Sequence, residues 1–185
     1  YGRIKTINCK GTAGDLVTNA DIECEKIIIE YLDKETPNLS ILAEESGYKL
    51  KDGELKWCID PLDGTTNYAH GYPFFATSVG LIWDSNPILG AISVPLLNEI
   101  YYASPEHGSF CNGEKINVTD TNSLCDALLV TGFAYDRREV LDNNYSEFCW
   151  LTHRTHGVRR GGAAAVDLAF VASGKVDGFW ERGLA

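Results

Sequence analysis

Between residues 57 and 67 the chain passes without a break from apolar residues into acid, WCIDPLDGTTN. Trp57, Cys58 and Ile59 read as a buried strand. Ionised carboxylates are not tolerated unpaired in such an interior, so Asp60 and Asp63 mark the place where the strand comes out. Pro61 fixes a bend between them. The run 40–43, Ser-Ile-Leu-Ala, leads in the same way into Glu44 and Glu45. Two buried strands that each deliver carboxylates to an edge define a fold with a site at that edge.

The remaining pattern mixes helices and strands. Thr18 and Asn19 can cap a helix over residues 21–32, where Cys24, Ile27, Ile28 and Tyr31 recur at helical spacing, ending before Pro37. Strand-like runs follow at 75–82, 88–94 and 100–103, punctuated by Pro87, Gly90 and Pro95, which predicts an antiparallel meander. Asn112-Gly113 supplies a tight turn between Ser109-Phe110-Cys111 and a strand at 115–118. Residues 127–131 read as a strand, 139–151 and 163–173 as helices, the second closed by Gly174, and 176–180 as a last strand. The order is α/β or α+β. Linkers, low-complexity tracts and repeats are absent from the sequence, so one unit over residues 1–185 is expected.

Composition narrows the function. The 185 residues are 44% hydrophobic, ample for a large core, and contain no apolar run of about 18 residues. With 16 basic and 26 acidic residues the formal net charge is −10, which opposes nucleic acid and anionic membrane as partners. An acidic protein that handles anions recruits metal cations. The six cysteines, Cys9, Cys24, Cys58, Cys111, Cys125 and Cys149, include no C-x-x-C pair. They read as reduced core thiols, which points to the cytoplasm.

Asp-Pro and Asp-Gly dipeptides are ordinarily turn chemistry. Here they stand together, preceded by Glu44-Glu45, with Asp21 opening a helix and no imidazole or thiolate cluster nearby. Hard oxygen ligands from separate segments suit Mg²⁺ rather than Zn²⁺. Gly64 allows close approach of backbone to an anion, and a helix starting at Thr65 would aim free N–H groups at a phosphate.

At this point the sequence closely resembles the inositol monophosphatase family of Mg²⁺-dependent, lithium-sensitive phosphatases, whose signature is Trp-x-Ile-Asp-Pro-Leu/Ile-Asp-Gly-Thr-Thr-Asn. Three further blocks match in order: Lys10 with GDLVTNAD ending at Asp21, AEES at 43–46, and RRGGAAAVDLAFVASGKVDGFWE at 159–181. The resemblance implies a layered αβαβα sandwich of the sugar phosphatase type, truncated at both ends. The family has an initial helix before the Lys10 block and a Trp-Asp-x-Ala-Ala-Gly motif after Glu181, whereas this chain stops at Gly183-Leu184-Ala185. It therefore resembles the central part of a longer enzyme.

Carried over by residue, the resemblance places metal ligands at Glu44, Asp60, the Leu62 carbonyl and Asp63, with two or more Mg²⁺ per complete site. The second metal's remaining aspartate belongs to the motif after Glu181. The catalytic set would be Glu44, Thr65 and Asp21, the last two positioning water. Asp63 and the backbone of Gly64 and Thr65 would hold phosphate. Gly162, Ala163, Ala164 and Glu181 would contact a hydroxyl-bearing ring. The implied reaction is hydrolysis of a small phosphate ester, foremost myo-inositol 1-phosphate, by a homodimer. Fructose bisphosphatase, histidinol-phosphate phosphatase and phosphoadenosine phosphatase share the metal core, and a non-catalytic regulatory or binding protein is the reading from another class.

Other features carry less. His153 and His156 lack a third ligand and read as a surface pair. Arg154, Arg159 and Arg160 form a positive cluster that either attracts phosphate or offsets the acidic background. Trp57 and Trp180 read as core packing.

Overall fold

The expected meander is the spine of the molecule. In the computed structural model, which describes residues 6–10 (the Cys9 side chain apart) and 16–184, eight strands form one mixed sheet. Gly14, Asp15 and Ala185, parts of the blocks discussed above, lie outside the described residues. The described residues begin with an antiparallel pair, β1 (Ile7–Cys9) and β2 (Leu16–Thr18), and β2 leads into helix α1 (Asn19–Glu35). Thr18 closes a capping box with Asp21, which fixes where α1 starts. Next come β3 (Ser40–Ala43), β4 (Gly47–Lys49), β5 (Leu55–Asp63) and the short α2 (Thr65–Ala69). The meander comprises β6 (Ala76–Trp83), β7 (Asn86–Val94), β8 (Glu99–Ser104), β9 (Gly108–Cys111) and β10 (Glu114–Lys115). The sheet order is β10-β9-β8-β7-β6-β5-β3-β4, antiparallel throughout except for the parallel β3–β5 pair.

The last third of the chain builds β11 (Leu128–Thr131), α3 (Tyr145–Thr152), β12 (Gly157–Arg159), α4 (Ala164–Ala172) and β13 (Gly178–Trp180). The three strands form a parallel sheet in the order β12-β11-β13.

Two apolar clusters on opposite faces of the large sheet explain the layering. Leu32 of α1 packs with Ile41, Ala43 and Ile59, backed by Trp57 and Val79. On the other face Ala76, Val94 and Tyr101 pack with Ala163, Val166 and Ala169 at α4. Side chains alternate along β6, so Ala76 and Val79 belong to opposite faces. Helix α4 also touches β11 and β13, which places it between the two sheets, while α3 lies against β12. The mixed α/β class expected from the sequence is the one observed. Among the described residues no helix is long and apolar enough to cross a membrane.

Several local expectations need correction. The strand expected at 115–118 ends at Lys115, because Ile116 drops into the α4-side cluster and Thr119 leaves to bond Asp177. The helix expected over 139–151 begins only at Tyr145. Asn144 is buried, and its amide donates to Thr131 Oγ1 at 2.9 Å and to the Gly132 carbonyl, which pins residues before the helix as a loop. Strands β4 and β12 were not foreseen. Of the described thiols, Cys24, Cys58 and Cys111 are half-buried, whereas Cys125 and Cys149 are exposed rather than core. Trp57 does pack with the core, donating its indole N–H to Thr36 Oγ1 at 3.0 Å.

Candidate active site

Strands β3 and β5 run parallel, with Ala43 opposite Ile59. Their C-terminal ends therefore leave the sheet side by side, carrying Glu44 and Asp60. The register of β5 against β6 slips between Asp60 and Asp63, a bulge around Pro61 that turns Asp63 back into the ladder opposite Ala76. Gly64 follows with φ +90°. A Cβ there would lie 3.0 Å from the Phe74 carbonyl oxygen and 3.1 Å from Ala163 Cβ, so glycine is needed for the conformation and for the contact. The expected helix start at Thr65 is found.

Each group at this edge is held by a specific partner. Asp21 is 1% exposed. Its Oδ2 accepts from Thr18 N at 2.9 Å and Thr18 Oγ1 at 2.6 Å, leaving Oδ1 to accept from Thr65 Oγ1 at 2.9 Å. The same Thr65 hydroxyl lies 3.0 Å from the Leu62 carbonyl. Asp60 Oδ1 accepts from Leu62 N at 3.0 Å. Asp63 receives the first peptide groups of α4, Ala164 N at 3.2 Å and Ala165 N at 2.7 Å, an anion at a helix N-terminus. Lys10 Nζ binds Glu44 Oε1 at 2.8 Å and also Glu45. Burial alone would lower the Lys10 pKa, but its bonds to Glu44 and Glu45 hold it above the ordinary lysine range.

The electrostatics show what is out of balance. Burial, with the charges of Glu44 and Asp63 beside it, pushes the Asp60 carboxyl up to about 8. Burial raises Asp63 to about 6 even though the α4 peptide groups favour its ionised form. Among the described residues no three His, Cys, Asp or Glu side chains close into a ready-made metal cage. Glu44, Asp60 and Asp63 nevertheless repel one another, and the Leu62 carbonyl, which accepts from Thr65 Oγ1, belongs to the bend between Asp60 and Asp63. Carboxylate and carbonyl oxygens in that combination fit a hard divalent cation.

A second wall faces this edge. Gly162 and Ala163 lie against Gly64, and Ala164 opens α4, so the three are brought to the same place. Asn67 fastens them by donating to the carbonyls of Phe74, Gly161 and Gly162 at 2.7, 3.0 and 3.2 Å. Glu181 crosses Gly132, where an added Cβ would meet Glu181 Oε2 at 2.0 Å. Burial raises its pKa, Asp63 adds to the rise, and Arg160 opposes it. Asp167, 2% exposed, presses on Gly161 and is raised to about 7 by burial and by the charges of Asp63 and Glu181, against Arg160.

All the side chains expected at the site from the sequence thus meet at one sheet edge and the wall across it. The arginine cluster divides. Arg154 stacks on Trp150 at 4.2 Å and Arg159 reaches the Val158 carbonyl, while Arg160 alone turns to Glu181 and Asp167. His153 and His156 are exposed, as a surface pair should be. Asn67, Asp167 and the pair Lys10–Glu45 were not assigned roles from the sequence, and Arg160 was read there only as part of the arginine cluster. The signal for Asp167 was a lone acid inside the apolar pattern of a helix.

The inositol monophosphatase family model matches residues 1–185. A Synechocystis sp. protein named inositol-1-monophosphatase is 51% identical over 185 residues, 100% of this chain and 64% of that protein. A Pseudomonas aeruginosa protein named Nus factor SuhB is 40% identical over 178 residues, 94% of this chain and 66% of its own length. The solved inositol monophosphatase from Anabaena (Nostoc) sp. superposes with a TM-score of 0.87 at 53% identity, over 90% of this chain and 66% of that one. The chain thus spans 64% to 66% of the length of these relatives. It belongs to the inositol monophosphatase family.

Proposed function

We propose that the protein is a Mg²⁺-dependent phosphoric monoester hydrolase acting on myo-inositol 1-phosphate. The observation that carries this reading is the convergence of Glu44, Asp60 and Asp63 beside the Gly64 turn, with Asp60 raised to about 8. Such a cluster is at rest only with a proton or a cation among its members. Glu44, Asp60, the Leu62 carbonyl and Asp63 would hold Mg²⁺. When bound, Mg²⁺ supplies Lewis-acid charge to the phosphoryl group and acidifies water.

The chain's own residues orient the rest. The single hydroxyl hydrogen of Thr65 is engaged by Asp21 and the Leu62 carbonyl. Its lone pairs therefore remain to accept from a water and aim that oxygen at phosphorus. Backbone N–H groups of Gly64 and Thr65 hold the phosphate oxygens, where charge develops as the ester P–O bond breaks. Gly162, Ala163, Ala164 and Glu181 receive the hydroxyl-bearing leaving group, whose oxygen takes up a proton from water as its P–O bond breaks and departs as the alcohol, while the attacking water's oxygen stays on phosphorus.

The test is phosphate release by the full-length protein on inositol 1-phosphate, fructose 1,6-bisphosphate, histidinol phosphate and phosphoadenosine phosphate, with Mg²⁺ and with EDTA. Release confined to Mg²⁺ and fastest on inositol 1-phosphate supports the reading. Preference for another ester moves the substrate assignment to that ester. Inactivity on all four favours the regulatory binding role, a reading that the relative named Nus factor SuhB supports. A cytoplasmic homodimer completes the proposal, and light scattering on the full-length protein tests the assembly.

A further inference from the structure

Helix α1 buries three residues, Asp21, Glu25 and Leu32. The first two are four apart and so share a face. Asp21 serves Thr65. Glu25, 3% exposed, serves something else. Its Oε2 accepts from Glu45 N at 2.8 Å and its Oε1 from Ser46 N at 2.9 Å. Each carboxylate oxygen takes one peptide group, a two-point grip that fixes the turn in position and in rotation.

That turn joins β3 to β4 and presents Glu44. Its other anchors are Lys10 Nζ on the Glu44 and Glu45 carboxylates, Glu44 N to the Ile59 carbonyl at 3.1 Å, and Gly47, at φ +80°, paired with Ala43. Glu44 is therefore tied to β5 on one side and, through Glu45 and Ser46, to α1 on the other. Peptide groups in a surface turn are satisfied by water at no cost, whereas a buried carboxylate is expensive. Placing one here achieves what water cannot: it fixes the turn, and with it Glu44, beside the end of β5 before any cation arrives.

We infer that Glu25 is a positioning residue that sets the protein's affinity for Mg²⁺ by fixing the turn that carries Glu44. The inference rests on the Mg²⁺ reading above. One helix face then aligns both halves of the chemistry, the water-orienting threonine through Asp21 and the metal-binding glutamate through Glu25.

The variant Glu25→Gln keeps shape but turns an amide NH₂ toward one of the two peptide N–H groups. Isothermal titration of the full-length protein with Mg²⁺ alone should show Kd weakened about tenfold, as for loss of a group that orients a metal ligand. In a Glu44→Gln background the same change should alter Kd less than about twofold, since coupled residues are not additive. Thermal unfolding in EDTA shows whether the variants are folded. If E25Q does not fold, Glu25→Asp, which keeps the charge and withdraws it by one methylene, enters the same cycle. Equal Kd for wild type and variant, or an undiminished loss in the E44Q background, would overturn the inference. A wild-type protein that binds no Mg²⁺ would instead bring down the parent reading and this inference with it.

Discussion

The two walls of the site are built on different principles. On the β5 side each group has a directional partner: Asp21 has Thr18 and Thr65, Asp60 has the Leu62 peptide, Asp63 has two peptide groups of α4. On the β11–β13 side Glu181 and Asp167 are set by packing on glycines and by the field of Arg160. The first arrangement fixes oxygens by direct hydrogen bonds and suits a small cation and a phosphoryl group. The second sets its carboxylates by packing and by charge, which suits recognition of an alcohol. Damage to the first wall should therefore remove activity, and damage to the second should redirect it.

The largest effect is expected from Asp60→Asn. It removes a ligand shared by the proposed metal cluster, and turnover should fall by about three decades or more, near 4 kcal/mol at 1.36 kcal/mol per decade. Above about pH 8 the same variant should be more heat-stable than wild type in EDTA, because there it removes a buried charge facing Glu44 and Asp63. Full turnover by folded D60N would refute the division of labour between the walls. Next comes Gly64→Ala, which needs a left-handed residue and an approach of 3.0 Å to the Phe74 carbonyl. A loss of about 1–3 kcal/mol in stability is expected in denaturant melts, with turnover reduced more than substrate affinity.

Across the cleft, Glu181→Gln and Gly132→Ala should behave alike. The nearest atoms an added methyl at Gly132 would meet are those of the flexible end of Glu181, so stability should hold within about 0.5 kcal/mol. Relative kcat/KM between inositol 1-phosphate and an aryl phosphate without ring hydroxyls should shift about tenfold. Equal losses on both substrates would erase the contrast with the first wall.

The last effect is on pH. Asp60, at about 8 instead of 3.8, binds its proton more tightly when folded than when unfolded. A raised carboxylate contributes stability that is present below its unfolded value and lost as pH rises through the folded one. In EDTA the melting temperature should therefore decline between about pH 4 and pH 8, and Mg²⁺ should reverse the decline at the alkaline end. A flat profile in EDTA would show that Asp60 is not strained.

What was legible in the sequence was whatever depended on a local contradiction. Acids at the ends of apolar runs gave the edge and its carboxylates, and Gly64 gave the turn. Glu25 escaped notice because a glutamate on an amphipathic helix is ordinarily solvated, and only the distant turn at Glu45–Ser46 makes it internal. The helix expected from residue 139 failed because its periodicity cannot reveal that the Asn144 amide is claimed by Thr131 and Gly132. Strands β4 and β12, three residues each, lie at sheet edges where alternation is too brief to read.

The parallel pairing of β3 and β5 also decides where the molecule can be edited. Since both strands discharge at one rim, the connection 50–54 and the turn at Asp84–Ser85 sit at the opposite rim. The five steps from Leu55 to Asp60 put about 17 Å of strand between them and the carboxylates. Sequence grafted there, whether a tag, a tether or a sensing module, would ride on the sheet without touching the chemistry.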